Sequence, residues 1–232
     1  MSSTQDTPTY RFSEKYNAEH AKTYFHKHNS GFWRRLSTWR EIGMARSALA
    51  LAGNPKSVLD LPCGTGRFWE MLCELPERTL YVADNSRDML DTGLALRPAA
   101  VTRRIAASYC CSAFDTGLPE KMVDCVFSIR FLHHIQKSED RIAILREFAR
   151  LSKETVIVSL WVDGNFRAWR MKRKQARKAK LEGAYVARDR ILLAQSQFEH
   201  DVAQAGLEIV GHVDFIKHWD KWRSYVLRVK PA

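Results

Sequence analysis

The chain has 232 residues, 45% of them hydrophobic, which is enough to bury the core of one α/β domain. Its 37 basic residues against 26 acidic ones give a net charge of +11, and this excess favours an anionic partner: nucleic acid, acidic lipid, or a phosphorylated or carboxylated small molecule. The five cysteines form no C-x-x-C pair and no apolar run reaches the ~20 residues of a membrane span, so we expect a cytoplasmic protein without a metal site, although a surface contact with a membrane stays open.

The N-terminal part of the chain divides into a tail and a helical segment. Residues 1–9 are polar and have little to bury, so we expect them to be disordered. From Tyr10 onward apolar residues recur at helical spacing, and a Gly-Asn-Pro sequence ends the pattern. We expect one domain over residues 10–232, in which the helical segment 10–53 packs beside or over the turn that follows it.

A glycine-rich turn follows the first short apolar strand, which ends in the carboxylate of Asp60. Gly64 and Gly66 let the backbone pass close to a ligand without a Cβ in the way, and the amphipathic helix expected from Phe68 to Leu75 offers unpaired N–H groups at its start. The dinucleotide-binding fingerprint needs a third glycine where Trp69 stands. The stretch therefore indicates a ligand cradle of another kind, or a tight turn that binds nothing.

A second buried strand, residues 79–83, ends in Asp84, Asn85 and Ser86. In an open α/β fold, a carboxylate at this point, about 20 residues after the glycines, accepts hydrogen bonds from ribose hydroxyls. The alternative is that Asp84 or Ser86 caps the next helix.

Residues 104–110 and 122–129 are the third and fourth predicted strands. Arg130 follows the fourth strand, at the carboxyl end where such a sheet opens into a crevice. His133 and His134 come next, and an imidazole with an ordinary pKa near 6.5 suits a proton acceptor. A purely structural role for both histidines is the alternative.

The remaining elements continue the alternation of strands and helices, which indicates a parallel sheet wound with helices on both faces. Ser138 is a plausible cap for the helix that starts there. The predicted elements are a helix over 138–152, a strand over 155–161, a helix over 196–205, and strands over 207–213 and 224–229.

A strongly basic segment lies inside the stretch 162–195, which we expect to be a helical insertion after the fifth strand. Residues 167–180 contain no acidic residue and eight cations: Arg167, Arg170, Lys172, Arg173, Lys174, Arg177, Lys178 and Lys180. A run of charge is often only a solvated helix face. Because this segment has no compensating acidic residues, contact with an anion is an equally good interpretation.

Three of these motifs together resemble those of the class I S-adenosylmethionine-dependent methyltransferases. Asp60, Gly64 and Gly66 match the acidic residue and two glycines of the family's first motif, while Pro62 occupies the first glycine position and removes a backbone donor. The spacing of Asp84 matches the second motif. The Leu-His-His sequence after the fourth strand is similar to the family's, and Ser112 stands where a family aspartate is common.

The resemblance implies a doubly wound, Rossmann-like α/β sheet of seven strands, mostly parallel with an antiparallel last strand, and S-adenosyl-L-methionine as cofactor. It also implies that the N-terminal helical segment is a lid, to which Tyr16 and Tyr24 would belong unless they are plain core residues. The residues it assigns to the cofactor are Asp60, Pro62, Cys63, Gly64, Gly66, Asp84, Asn85, Ser112, Ala113, Phe114 and Arg130.

The resemblance implies a methyltransferase that acts on a small or lipid-linked, anionic acceptor. We expect His133, His134 and Arg130 at the reacting groups, and Tyr16, Tyr24, Arg167, Arg170 and Arg173 at the acceptor. One alternative is an RNA methyltransferase, which the charge favours but the absence of an N/D-P-P-Y-type motif after the fourth strand disfavours. The other is a non-catalytic methyltransferase-like binding module, which the departures at Pro62 and Ser112 motivate.

Overall fold

The computed structural model of the protein describes residues 32–182 and 190–230. The helices are α1 Phe32–Leu51, α2 Trp69–Leu72, α3 Arg87–Leu96, α4 Ala99–Thr102, α5 Ser138–Leu151, α6 Phe166–Glu182 and α7 Gln195–Gln204, with a 3₁₀ turn at Leu132–His134. The strands are β1 Ser57–Asp60, β2 Thr79–Asp84, β3 Ile105–Cys110, β4 Val123–Ser128, β5 Ser152–Trp161, β6 Leu207–Asp214 and β7 Trp222–Val229.

The seven strands form one sheet in the order β3-β2-β1-β4-β5-β7-β6. Strands β1 to β5 pair in parallel, and β7 runs antiparallel to both of its neighbours, β5 and β6. The predicted fold class is confirmed. Because the first five strands are parallel, their carboxyl ends meet at one edge of the sheet, and the segments that carry the predicted site residues follow these ends.

The sheet is buried on both faces, which is why its central strands are continuous apolar runs instead of alternating ones. On one face, helices α1, α2 and α3 contribute Leu49, Trp69 and Leu90 to a single buried cluster. On the other face, Phe148 of α5 and Phe198 of α7 pack in a second cluster. Among the described residues, no helix is both long and apolar enough to cross a bilayer.

The cap predicted for α5 is wrong. Lys137 occupies the cap position without a side-chain bond, and the hydroxyl of Ser138 donates to Asp201 of α7 instead. Asp201 is fully buried and also accepts from Nε of Arg141 at 2.7 Å. A buried carboxylate needs several donors, so Ser138 serves the contact between α5 and α7 in place of its own helix end.

The helix after the glycine turn is shorter than the sequence predicts. It ends at Leu72, whose carbonyl accepts from Nη1 of Arg78 at 3.2 Å, and the carbonyl of Leu75 accepts from Nη2 of Arg104 at 2.7 Å. Guanidinium donors thus satisfy carbonyls at the helix end, where no further helical N–H is available.

Candidate functional site

The glycine turn between β1 and α2 is tied to the end of β2. Gly64 and Gly66 have φ of +56° and +71°, the left-handed region that a residue without a Cβ adopts at little cost. The Cys63 N–H donates to the Ala83 carbonyl at 2.9 Å, and the Gly64 N–H donates to Oδ2 of Asp84 at 2.8 Å. The turn and the carboxylate predicted for the ribose are therefore parts of one structure.

Asp84 uses both of its carboxylate oxygens, Oδ2 for this turn and Oδ1 for the start of α3. Oδ1 accepts from the Ser86 N–H at 3.0 Å, while Ser86 Oγ accepts from the Met89 N–H at 3.4 Å and caps α3. Of the two predicted caps, Ser86 is therefore the one that caps the helix. Burial raises the pKa of Asp84 to about 6, against which the backbone N–H groups act only in part.

Asp60 lies beside Asp84 and is more deeply buried. Burial raises the pKa of Asp60 well above its usual range, and the charge of Asp84 raises it further. The indole of Trp69 lowers this pKa, although no hydrogen bond of ordinary geometry joins the two side chains. Among the described residues Oδ2 of Asp60 has no hydrogen-bond partner, so the carboxylate is suited to a donor or a cation on a ligand.

The other predicted cofactor residues follow the same edge. Pro62 is half-buried, and burial raises the pKa of the Cys63 thiol well above its usual range. Asn85 is exposed directly after β2. Beyond β3, the Phe114 N–H donates to Ser112 Oγ at 3.2 Å and Ala113 between them is buried.

Arg130 leaves β4 in an unusual conformation for a non-glycine residue, with φ of +66°. Its N–H donates to Ser159 Oγ at 2.8 Å, and its Nη1 lies 2.9 Å from Oε1 of Glu41. Nη2 of Arg67, from the glycine turn, lies 2.9 Å from Oε2 of the same glutamate. Glu41 of α1 thereby binds one guanidinium from each side of the crevice.

Glu41 was missed by the sequence reasoning. Its side chain is only 6% exposed, and it lies on the face of α1 that also carries the buried Ala45 and Ala48. The sequence signal that could have identified Glu41 is an acidic residue on the apolar face of a helix, because an acidic side chain is buried only when it has a partner.

His133 is buried between two tryptophans. Its ring stacks on Trp161 with centroids 5.2 Å apart and meets Trp222 edge-on at 4.9 Å. Burial lowers the pKa of His133 well below 6.5, and His134, Arg130, Arg190 and Lys221 lower it further. Its Nδ1 has no hydrogen-bond partner among the described residues, so a neutral imidazole with an unused nitrogen lies at this edge.

Three cations lie over these tryptophan rings. The guanidinium carbon of Arg130 is 5.2 Å from the centroid of Trp222, and Nζ of Lys221 and the guanidinium carbon of Arg190 are 4.1 Å and 5.6 Å from that of Trp161. We call these five residues with His133 the aromatic-cationic wall. The sequence reasoning missed Trp161 and Trp222 as site residues, although each stands at the end of a strand.

The predicted acceptor residues are only partly brought to this edge. Arg167 reaches this edge through an ion pair, because its Nη1 lies 2.6 Å from Oδ2 of Asp220. Asp220 directly precedes Lys221 of the wall. Arg170 is exposed, and the guanidinium of Arg173 lies 4.8 Å from the ring centroid of Trp169 on α6. Tyr16 and Tyr24 lie outside the described residues.

Comparison with known proteins bears on the domain and on the fold. Residues 59–160 match the family model described as a methyltransferase domain. No curated protein sequence matches the chain.

Three solved structures share the fold. Magnesium protoporphyrin IX methyltransferase (ChlM) from Synechocystis, with bound SAH, is 14% identical over 87% of this chain and 88% of its own, with a TM-score of 0.64. An S-adenosylmethionine-dependent methyltransferase from Clostridium acetobutylicum is 13% identical over 93% and 100%, with a TM-score of 0.60. A riboflavin-derivative dimethyltransferase (RosA) from Streptomyces davawensis is 17% identical over 77% and 51%, with a TM-score of 0.59.

Proposed function

We propose that this chain, which is a class I S-adenosylmethionine-dependent methyltransferase by its fold and its matched domain, transfers the methyl group to a small or lipid-linked anionic acceptor. The observation that carries the proposal is the aromatic-cationic wall at the carboxyl ends of β4 and β5.

The cradle fits the cofactor, whose sulfonium and ammonium groups are positive. One buried oxygen of Asp60 has no hydrogen-bond partner among the described residues and offers an acceptor for such a group, and the absence of a Cβ at Gly64 lets a ligand approach the backbone. We assign Asp60, Pro62, Cys63, Gly64 and Gly66 to the methionine portion, Asp84 and Asn85 to the ribose, and Ser112, Ala113 and Phe114 to the adenine.

When bound, S-adenosylmethionine supplies an electrophilic methyl group, whose bond to sulfur breaks as the bond to the acceptor forms. The chain's part is to align the acceptor and, where the acceptor must lose a proton, to accept it. We assign proton transfer to Nδ1 of His133, which the lowered pKa keeps neutral, and place His134 and Arg130 beside it. An acceptor oxygen that is already ionised needs only the alignment.

The wall favours an anion for an electrostatic reason. After burial, the groups that lower the pKa of His133 are His134 and the cations Arg130, Arg190 and Lys221, so these neighbours make the potential at the buried ring more positive. Nearby, burial lowers the pKa of Lys221, which means that an added negative charge would stabilise its ionised form. The rings of Trp161 and Trp222 are half-buried, and the part of each that stays exposed offers apolar surface to the rest of the acceptor.

The names of two structural neighbours support a small acceptor, because one is named for a porphyrin and the other for a riboflavin derivative. The assignment of Arg167, Arg170 and Arg173 to the acceptor stays a prediction. Arg167 is the best placed of them, through its contact with Asp220.

Transfer of label from S-adenosylmethionine carrying a radioactive methyl group tests the proposal. The protein is incubated with a small-molecule extract of its source cells and, separately, with total RNA. We expect label in molecules that an anion exchanger retains. In the double variant Arg190→Gln/Lys221→Gln, KM for the labelled acceptor should rise about tenfold, as for the loss of a charged contact, while the calorimetric affinity for S-adenosylmethionine is unchanged.

The matched control is Lys56→Gln/Arg103→Gln, which removes two exposed cations from other parts of the surface. Label in RNA would favour the RNA methyltransferase, and label only in neutral or cationic molecules would contradict an anionic acceptor. No saturable heat with S-adenosylmethionine would indicate a non-catalytic binding module.

A further inference from the structure

The solvent-facing side of α6 carries aromatic rings at its start and cations along the rest. Ala168 is fully buried and marks the inner side of the helix. Phe166, Arg170 and Arg177 follow the spacing i, i+4, i+11, so they share the opposite side over about 17 Å. Trp169 and Lys174 flank this line and are exposed as well.

The rings at the start of α6 are held in place although they face solvent. Phe166, Trp169 and Trp219 are 40%, 52% and 51% exposed. Phe166 stacks on Trp219 with centroids 4.7 Å apart and lies 5.7 Å from Trp169. The backbone N–H groups of Phe166 and Arg167 donate to the carbonyls of His218 and Trp219, both at 3.0 Å. The loop before β7 and the start of α6 therefore present one fixed apolar cluster.

Exposed aromatic clusters of this kind need an explanation, because isolated rings on a surface are common but adjoining ones mark contact sites. The cations beside the cluster are available for such a contact. Arg170, Lys174 and Arg177 are exposed, and the sequence places no acidic residue between Arg167 and Lys180. A helix with exposed aromatic residues next to arginines and lysines has the composition of a segment that lies in a membrane interface.

We propose that this surface, formed by Phe166, Trp169, Arg170, Lys174, Arg177 and Trp219, docks the protein on an anionic phospholipid bilayer. The rings enter the headgroup region, and the cations contact the lipid phosphates. The surface follows the carboxyl end of β5, next to the aromatic-cationic wall, so docking would turn the acceptor side of the crevice toward the bilayer.

Charge alone would suit RNA equally well, but the apolar side chains favour lipid. The ring face of Phe166 is already stacked on Trp219, so this pair offers less free ring surface to a nucleotide base. Ile216 in the same loop is 45% exposed and has no ring to offer a base, whereas an aliphatic side chain gains by entering hydrocarbon.

Flotation with vesicles tests the docking, with phosphatidylcholine alone or mixed with phosphatidylglycerol. We expect the wild-type protein to float with the mixed vesicles and not with the neutral ones, and the bound fraction to fall as salt is added. Brominated lipid should quench part of the tryptophan fluorescence. This measurement needs no variant, so the proposal stays testable even if a variant fails to fold.

Two variants separate the rings from the charges. Trp169→Ser/Trp219→Ser and Lys174→Gln/Arg177→Gln should each lower the apparent vesicle affinity about tenfold. Their controls are Leu96→Ser and Lys56→Gln/Arg103→Gln, which change an apolar residue and two cations that are exposed elsewhere. Circular dichroism and the affinity for S-adenosylmethionine report whether each variant is folded.

Equal flotation with neutral and anionic vesicles, no quenching by brominated lipid, or equal loss in the variants and their controls would each overturn the proposal. Tight RNA binding that these variants abolish, without flotation, would overturn it in favour of a nucleic-acid surface. None of these outcomes bears on the acceptor, because methyl transfer is measured without lipid.

Discussion

The indole ring of Trp69 lies 2.3 Å from the point that a β-carbon on Gly66 would occupy. The other end of the same ring lies 2.9 Å from the corresponding point on Gly93 of α3. Trp69 is fully buried, so these two glycines form the slot that holds it. A bulky residue can therefore stand at the position of the third glycine in a dinucleotide fingerprint, because glycines elsewhere give it room.

Gly66→Ala should destabilise the fold by more than a left-handed backbone angle alone costs. The angle costs about 1–2 kcal/mol, and the overlap with the Trp69 ring adds about 1–3 kcal/mol. Gly53→Ala is the matched control, since Gly53 has φ of +82° and no described residue lies within 4 Å of its missing β-carbon. Denaturant unfolding of both variants measures the difference, and equal losses would contradict the slot.

The affinity for S-adenosylmethionine should rise about tenfold between about pH 5 and about pH 7 and then level off. Only the ionised carboxylate of Asp84 accepts well from ribose hydroxyls, and its pKa of about 6 sets the midpoint. Calorimetry across this range checks the profile. Asp84→Asn should flatten it, while the exposed neighbour variant Asp88→Asn should keep it. A wild-type affinity independent of pH would remove Asp84 from the cofactor site.

The stability of the ligand-free protein should change with pH in the opposite direction. Because folding raises the pKa of Asp84 from 3.8 to about 6, the folded protein binds more protons than the unfolded chain in the window from about pH 3 to about pH 7. Its free energy of unfolding should therefore fall, by on the order of 2–3 kcal/mol from this group, as the pH rises through the window. Asp84→Asn should lose this component of the pH dependence.

Glu41→Gln should lower the free energy of unfolding by about 3 kcal/mol, because it removes the carboxylate charge that binds two partly buried guanidinium groups. The side chains of Arg67 and Arg130 are only 10% and 23% exposed. The control is Glu74→Gln, which breaks the ion pair between Glu74 and Arg46 of α1. Both side chains of that pair are nearly half exposed, so the change should cost under about 1 kcal/mol. Similar losses of unfolding free energy in the two variants would show that burial does not strengthen the ion pairs of Glu41.

Asp201→Ala should be among the most destabilising single changes, at about 3–5 kcal/mol. It would leave Arg141, whose side chain is 2% exposed, without the carboxylate 2.7 Å from its Nε. The double variant Arg141→Met/Asp201→Leu should recover part of the loss, because it removes both buried charges. Urea unfolding measures both, and a double variant no more stable than Asp201→Ala would contradict this account.

The architecture was accessible from the sequence because its signals are local. Buried strands such as residues 79–84 are short apolar runs, and the helices between them have their own apolar faces, so alternation along the chain already specifies a parallel sheet. The spacing from Asp60 through the two glycines to Asp84 is equally local, and it predicted the turn that Asp84 holds at the sheet edge.

The sequence by itself determined which segments reach that edge, and only the tertiary structure decided what they meet there. Glu41 and Arg130 are 89 positions apart, and no periodicity relates a helix residue to a strand end so distant. Trp161 faces Trp222 because β5 and β7 pair antiparallel in one particular register. Contacts of this kind depend on strand order and register, which the packing of the whole sheet selects and the local pattern does not.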